Sequence, residues 1–178
     1  MVNNGIPLKN LVIFASGSGS NAEKIFEYFK DSTEVLITHI FSNNPEAGVI
    51  SRAERLAIPC TIFTRAEYKD GTLLKKIQSL NTDWVILAGF LWLIPSDFIQ
   101  AYPQRIVNLH PALLPKFGGK GMYGHFVHEA VVEAGEKESG ITIHFVNEHY
   151  DEGGIIFQSS FAVDPSDTPE DVAKKDKC

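Results

Sequence analysis

The sequence predicts an α/β fold with a mostly parallel sheet, helices on both faces, and an antiparallel strand pair near the C-terminus. Three observations carry that expectation. Short apolar runs rich in β-branched and aromatic residues alternate with stretches of helical periodicity, the pattern of βαβ units. The most apolar run, "DWVILAGF" (83–90), reads as a central strand buried on both faces. Two late runs, "GITIHFVN" and "IIFQSSFAV", follow one another across the turn "EHYDEGG" with no helix between them. They are expected to pair antiparallel.

The elements follow in order. "LVIFAS" is strand one, and "NAEKIFEYFKD" is a helix with Ile25, Phe26 and Phe29 on its inner face. "EVLITHIFSN" is strand two. "PEAGVISRAERLA" is a helix with proline at its start, and "CTIFT" a short extended run. "RAEYKDGTLLKKIQSL" is helical around a glycine that breaks or begins it. After "DWVILAGF" come a short helix, "IPSDFIQAY", and a strand, "RIVNLH", ending in polar residues. "PALLPKFGGKGMYGH" lacks periodicity and reads as a long loop of the kind that is often functional. "VHEAVVEAG" returns to helix.

A chain of 178 residues holds one well-formed core and is short for two, so a single domain over 1–178 is expected. Apolar and charged fractions of 44% and 21% are ordinary for a globular protein. The net charge is −6 and no basic stripe occurs, which argues against a nucleic-acid partner. An anionic ligand must then be held by local groups. The polar start and the short run "LVIFA" fit neither a signal peptide nor a membrane span. Cys60 and Cys178 have no metal-type spacing and read as reduced thiols, so a cytoplasmic protein without a membrane partner is expected.

"FASGSGSNAE" (14–23) places Gly17, Gly19 and Ala22 at the G-x-G-x-x-G/A spacing of dinucleotide sites. Such sites carry a carboxylate roughly 20 residues on, at the end of strand two. Here that strand ends in Ser42, Asn43 and Asn44, so the dinucleotide reading loses its second half. What remains is a turn feeding a helix N-terminus, suited to one phosphate. Ser20 and Asn21 are also N-cap candidates, so a phosphate site and a plain capped turn both stand on this motif.

The sharper signal is "NLHPALLPKFGG" (108–119) with "HYDEGG" (149–154). Asn108 and His110 are two apart at a strand's carboxyl end, so their side chains share a face. An amide that donates to an oxyanion, beside an imidazole that titrates near neutrality, is a catalytic pairing. Asp151 can supply a carboxylate to orient or polarise that imidazole. The alternative is that all three are turn and hydrogen-bonding residues. His125, His128, His144 and His149 form no H-E-x-x-H or completed ligand set, so no metal is expected, and His144 within its strand reads as structural. Lys116 is either a phosphate attractor or a solvated loop residue.

Together "SGSGSN", "LAGF", "NLHPALLPKF" and "GITIHFVNEHYDEGGIIFQ" resemble the phosphoribosylglycinamide formyltransferase family, folate-dependent enzymes of purine synthesis. The resemblance runs in order from about Leu11 to about Val172. It implies a Rossmann-like fold and a catalytic set of Asn108, His110 and Asp151. It implies phosphate binding by Gly19, Ser20 and Asn21. It implies a folate pocket around Leu87, Phe90, Leu91, Trp92, Leu93 and Ile94, with Asn147, Glu148 and Tyr150. The substrates implied are glycinamide ribonucleotide and 10-formyltetrahydrofolate, with no metal and a monomer or homodimer as the working form. Asn108 would donate to the oxyanion, protonated His110 would stabilise the same oxygen, and Asp151 would raise the proton affinity of His110 or hold a proton-shuttling water.

The chain departs from the family at three places. Trp92 stands where many relatives carry a basic residue. The loop 118–124 looks longer, and Lys120 with Gly121 suggests a lid. The family's last helix supplies a phosphate contact and a ribose glutamate. Here "TPEDVAKKDKC" opens that helix with Thr168 as cap and Pro169 first. Lys177 falls near the phosphate position and the glutamate has no counterpart, so the family's C-terminal helical end is expected to be missing. A formyltetrahydrofolate hydrolase or a non-catalytic folate-binding variant is the alternative function. A methionyl-tRNA formyltransferase would need a further domain.

Overall fold

A computed structural model describes residues 7–176. The chain divides into two compact units, Met1–Ile106 and Val107–Cys178.

The first unit holds β1 (Lys9–Phe14), α1 (Ser20–Phe29), β2 (Val35–Ser42), α2 (Val49–Arg55), β3 (Cys60–Ile62), α3 (Arg65–Lys69), α4 (Thr72–Ser79), β4 (Trp84–Leu87) and α5 (Ser96–Ala101). Its strands lie in the order β3-β2-β1-β4, every pairing parallel. Successive residues of a strand point to opposite faces, so β1 builds two cores. Leu11, Ile13 and Ala15 enter a cluster with Ala22 of α1 and with Val49 and Ala53 of α2, and Ile25, Phe26 and Phe29 pack against it. On the other face Phe14 meets Phe41 edge to face at 5.5 Å and lies 6.3 Å from Phe98 of α5. Tyr68 of α3 completes that side, 5.5 Å from Phe98. Helices therefore cover both faces of this parallel sheet, as the βαβ pattern predicts.

Three local expectations are corrected. β4 alternates, with Val85 and Leu87 buried and Trp84 and Ile86 half-buried, because the helices on that face pack over β2 and β3. α2 begins at Val49 and not at Pro45. Asn44 accepts from the Glu46 N–H at 3.0 Å, and this side-chain turn displaces the first helical turn. Gly19, at φ 76, is the N-cap of α1, so Ser20 and Asn21 are its first residues and no side chain caps it. Gly71, at φ 84, separates α3 from α4 and caps the latter, so the glycine both breaks and begins a helix.

The second unit holds β5 (Ile106–His110), α6 (His125–Glu133), β6 (Glu138–Phe145), β7 (Ile155–Ala162) and α7 (Pro169–Lys175). β5, β6 and β7 pair antiparallel in that order, which includes the predicted C-terminal pair. Ala112, Val127, Val131, Val163 and Val172 form the core under α6 and α7. α7 opens as predicted, with Pro169 first and Thr168 in a reciprocal capping box with Asp171.

Two contacts fix the chain around the end of β5. A Cβ on Gly153 would lie 1.6 Å from the Phe145 carbonyl oxygen, so the β6–β7 turn closes only with glycine there. Thr142, fully buried on β6, donates to the Ala112 carbonyl at 2.6 Å, and its oxygen accepts from the Leu114 N–H and the Gln158 amide. It thereby pins the segment that follows His110. Thr142→Val leaves those buried backbone groups unpaired and should cost about 1–3 kcal/mol, read from the urea unfolding midpoint at unchanged slope.

Candidate active site

The second unit gathers Asn108, His110 and Asp151. Asn108 and His110 share a face of β5, and the β5–β6 register sets Asn108 opposite His144. The Asn108 amide donates to His144 Nε2 at 3.0 Å and to Asp151 Oδ1 at 3.3 Å. His144 Nδ1 lies 2.8 Å from the Phe145 carbonyl, so Nδ1 carries the proton and Nε2 accepts from Asn108. His110 Nε2 donates to the Phe117 carbonyl at 2.8 Å. Its Nδ1 stands 3.6 Å from Asp151 Oδ2, too far for a hydrogen bond and close enough for strong Coulomb coupling. That oxygen also accepts from the Gly119 N–H at 2.9 Å.

Both loop residues that complete this set have left-handed backbones, Phe117 at φ 55 and Asp151 at φ 57. Aspartate tolerates this region, but a bulky aromatic residue there stores strain of roughly 1–3 kcal/mol. The strain aims the Phe117 carbonyl at the imidazole.

Protonation follows from burial. His110 is 3% exposed. Desolvation pushes its pKa down, and this outweighs the upward pull of Asp151 and of the Phe117 carbonyl. Asp151 does raise the proton affinity of His110, as expected, but the net direction is downward, so the resting imidazole is neutral near pH 7. For Asp151 burial pushes the carboxyl up. The neighbouring His144 and His110 rings and the Gly119 N–H together hold it below its ordinary value. The site is thus a neutral imidazole facing a carboxylate, with a free lone pair on Nδ1.

Asn147, Glu148 and Tyr150 lie on the same β6–β7 loop as Asp151, and Asn147 turns that loop by accepting from the His149 N–H at 3.0 Å. In the first unit Gly17–Asn21 follow β1, and Leu87 ends β4 with residues 88–94 after it. Ser16 joins these loops: it donates from N to the Gly89 carbonyl and accepts at Oγ from the Leu91 N–H. Leu87 and Ile94 are buried, and Leu91 and Leu93 are exposed. Phe90 and Trp92 pack, tilted or edge-on, into an aromatic group with Phe63 and Tyr68. Arg65 lies 4.8 Å over the Trp92 ring, a cation held on its face.

Lys116 is paired with Glu136 at 2.8 Å. Lys177 lies outside the described residues. Among the described residues no three His, Cys, Asp or Glu side chains gather as a metal-ligand set, and no helix is long and apolar enough to cross a membrane. Sequence reasoning gave His144 a structural role. It is hydrogen-bonded throughout, yet it belongs to the Asn108–Asp151 cluster, and only the β5–β6 register reveals that.

Residues 9–177 match the formyl transferase family, and the chain belongs to it. It is 46% identical to the chloroplastic phosphoribosylglycinamide formyltransferase of Arabidopsis thaliana, over 94% of this chain and 60% of that protein. The enzyme of the same name from Haemophilus influenzae is 32% identical over 93% of this chain and 78% of its own length. The crystal structure of glycinamide ribonucleotide transformylase 1 from Symbiobacterium toebii superposes with a TM-score of 0.87 at 30% identity, covering 96% of this chain and 81% of that one. The chain therefore spans less than two thirds of the Arabidopsis relative.

The burial of His110 has a measurable sign. Its folded pKa lies below the ordinary 6.5, so its stabilising contribution is complete above that value and is lost as pH falls through the folded pKa. Proton NMR titration of His110 should give a midpoint below 6.5, and Asp151→Asn should lower it further by removing the upward pull.

Proposed function

We propose that this chain transfers the formyl group of 10-formyltetrahydrofolate to the amine of glycinamide ribonucleotide, a step of purine synthesis. The observation that carries the reading is the buried cluster of Asn108, His110 and Asp151 at the end of β5. The names of its relatives support the substrate pair.

Acyl transfer to an amine needs a donor for the developing oxyanion and a route for the proton that the amine loses. Both Asn108 N–H groups are engaged, and the 3.3 Å bond to Asp151 is the weaker, so that N–H is the one given to the oxyanion. His110 Nε2–H leaves the Phe117 carbonyl and donates to the same oxygen. His110 Nδ1 accepts the proton that the amine loses, which places an imidazolium beside the Asp151 carboxylate. As the tetrahedral intermediate collapses, its C–N bond to the folate nitrogen breaks and that nitrogen takes the proton back from the imidazolium. These groups supply the chemistry without a metal.

The N-terminus of α1 has no side-chain cap, which leaves its first N–H groups to a ribose phosphate at Gly19, Ser20 and Asn21. Leu87, Phe90, Leu91, Trp92, Leu93 and Ile94 supply an apolar and aromatic wall for the pterin and benzoyl rings. Asn147, Glu148 and Tyr150 offer polar groups to the donor. We take residues 1–178 as one formyltransferase domain, working in the cytoplasm as a monomer or homodimer.

The test is formyl transfer measured with both substrates. Asn108→Ala should lower kcat by ~10²–10³, the usual cost of an oxyanion donor. His110→Ala should lower it by ~10²–10⁴. A folded wild-type chain without transfer, or a His110→Ala variant at full rate, would sink the proposal.

A further inference from the structure

We propose that Arg52 is the positioning residue of the glycine loop, acting with Glu23 and Arg55 to set how tightly the chain holds a phosphate-bearing substrate. The inference rests on the reading of Gly19, Ser20 and Asn21 as the phosphate-binding stretch.

The loop between β1 and α1 lies directly on α2. The Gly17 carbonyl accepts from the Val49 N–H at 3.1 Å. A Cβ on Gly19 would stand 2.5–2.7 Å from Val49, and one on Gly48 would stand 3.2 Å from the Ser18 Cα. Neither backbone can be lifted off the other by a side chain. Arg52, one turn into α2, donates from Nε to the Ser18 carbonyl at 2.7 Å. Its Nη1 binds one oxygen of Glu23 in the first turn of α1, and Arg55 Nη2 binds the other. One guanidinium therefore holds both the loop and the helix that the loop starts.

The charges give this clasp a second effect. A carboxylate in the first turn suits the helix dipole but repels an anion held at the same end. Two guanidinium groups on its two oxygens turn that local −1 into +1. In a chain of net charge −6 the reversal matters. Glu23 and Arg52 are 24% and 31% exposed, so solvent screens them less than a surface pair, whereas Arg55 is 61% exposed. Arg52 is the partner with both a mechanical and an electrostatic hold. It acts through Ser18 and Glu23.

The experiment compares the full chain with Arg52→Ala and with Arg52→Ala/Glu23→Gln, by steady-state kinetics in each substrate and by hydrogen exchange of residues 14–23. Arg52→Ala should raise KM for glycinamide ribonucleotide about tenfold, with KM for the folate and kcat within about twofold, and should speed exchange in the loop. Adding Glu23→Gln should recover part of the KM loss while exchange stays fast. Should Arg52→Ala fail to fold, Arg52→Lys keeps the charge without the fork and should show the same KM split. Unchanged loop exchange, or both KM values rising together, would overturn the inference while leaving the transferase reading in place. If the wild-type chain transfers no formyl group, that reading fails. Titration of wild type and Arg52→Ala with inorganic phosphate, followed by phosphorus NMR, then decides this one. Weaker binding by the variant supports it, and equal or absent binding in both refutes it.

Discussion

The second unit is organised around one carboxylate that must stay ionised while largely buried. Asp151 sits on a turn rather than on a strand, so its position is set by what it receives. Oδ2 takes the Gly119 N–H and Oδ1 the Asn108 amide. Two imidazoles stand at 3.5 and 3.6 Å from it. These contacts come from β5, the loop after it and β6, so the carboxylate ties all three to the β6–β7 turn. A buried charge without such partners would be protonated or would unfold its surroundings.

That requirement explains features that look unrelated. The antiparallel β5–β6 register brings His144 opposite Asn108. The left-handed backbones at Phe117 and Asp151 point a carbonyl and a carboxylate at the same imidazole. Thr142 anchors the segment between His110 and Phe117. The parallel half works differently: Ser16, with Asn43 and Asn44, knits the loops after β1, β2 and β4 through side-chain hydrogen bonds. One half fixes charges, and the other fixes loop backbones.

Much of this was legible in the sequence. Alternating apolar runs and helical periodicity gave the order of elements, because both report which side chains must leave water. Asn108 and His110 were visible as a pair from their two-residue spacing, and Asp151 from its glycine turn. The net proton affinity of His110 was not, since burial is a property of packing and it outweighs the carboxylate that spacing suggested. His144 was missed for a related reason: strand register decides its neighbours, and register is not written in one strand alone. Ser20 and Asn21 have the right chemistry for a cap, yet Gly19 takes that place because its left-handed backbone turns the chain one residue earlier.

The contact of Gly153 with the Phe145 carbonyl has a consequence for protein engineering. The turn that carries Asp151 is closed by a position that admits no side chain, while Asn147–Tyr150 sit on the more exposed part of the same loop. Randomised libraries confined to 148–150 would therefore vary the surface of this loop while Asp151 keeps its place. Libraries that include 153 would lose most of their members to misfolding before any selection could act.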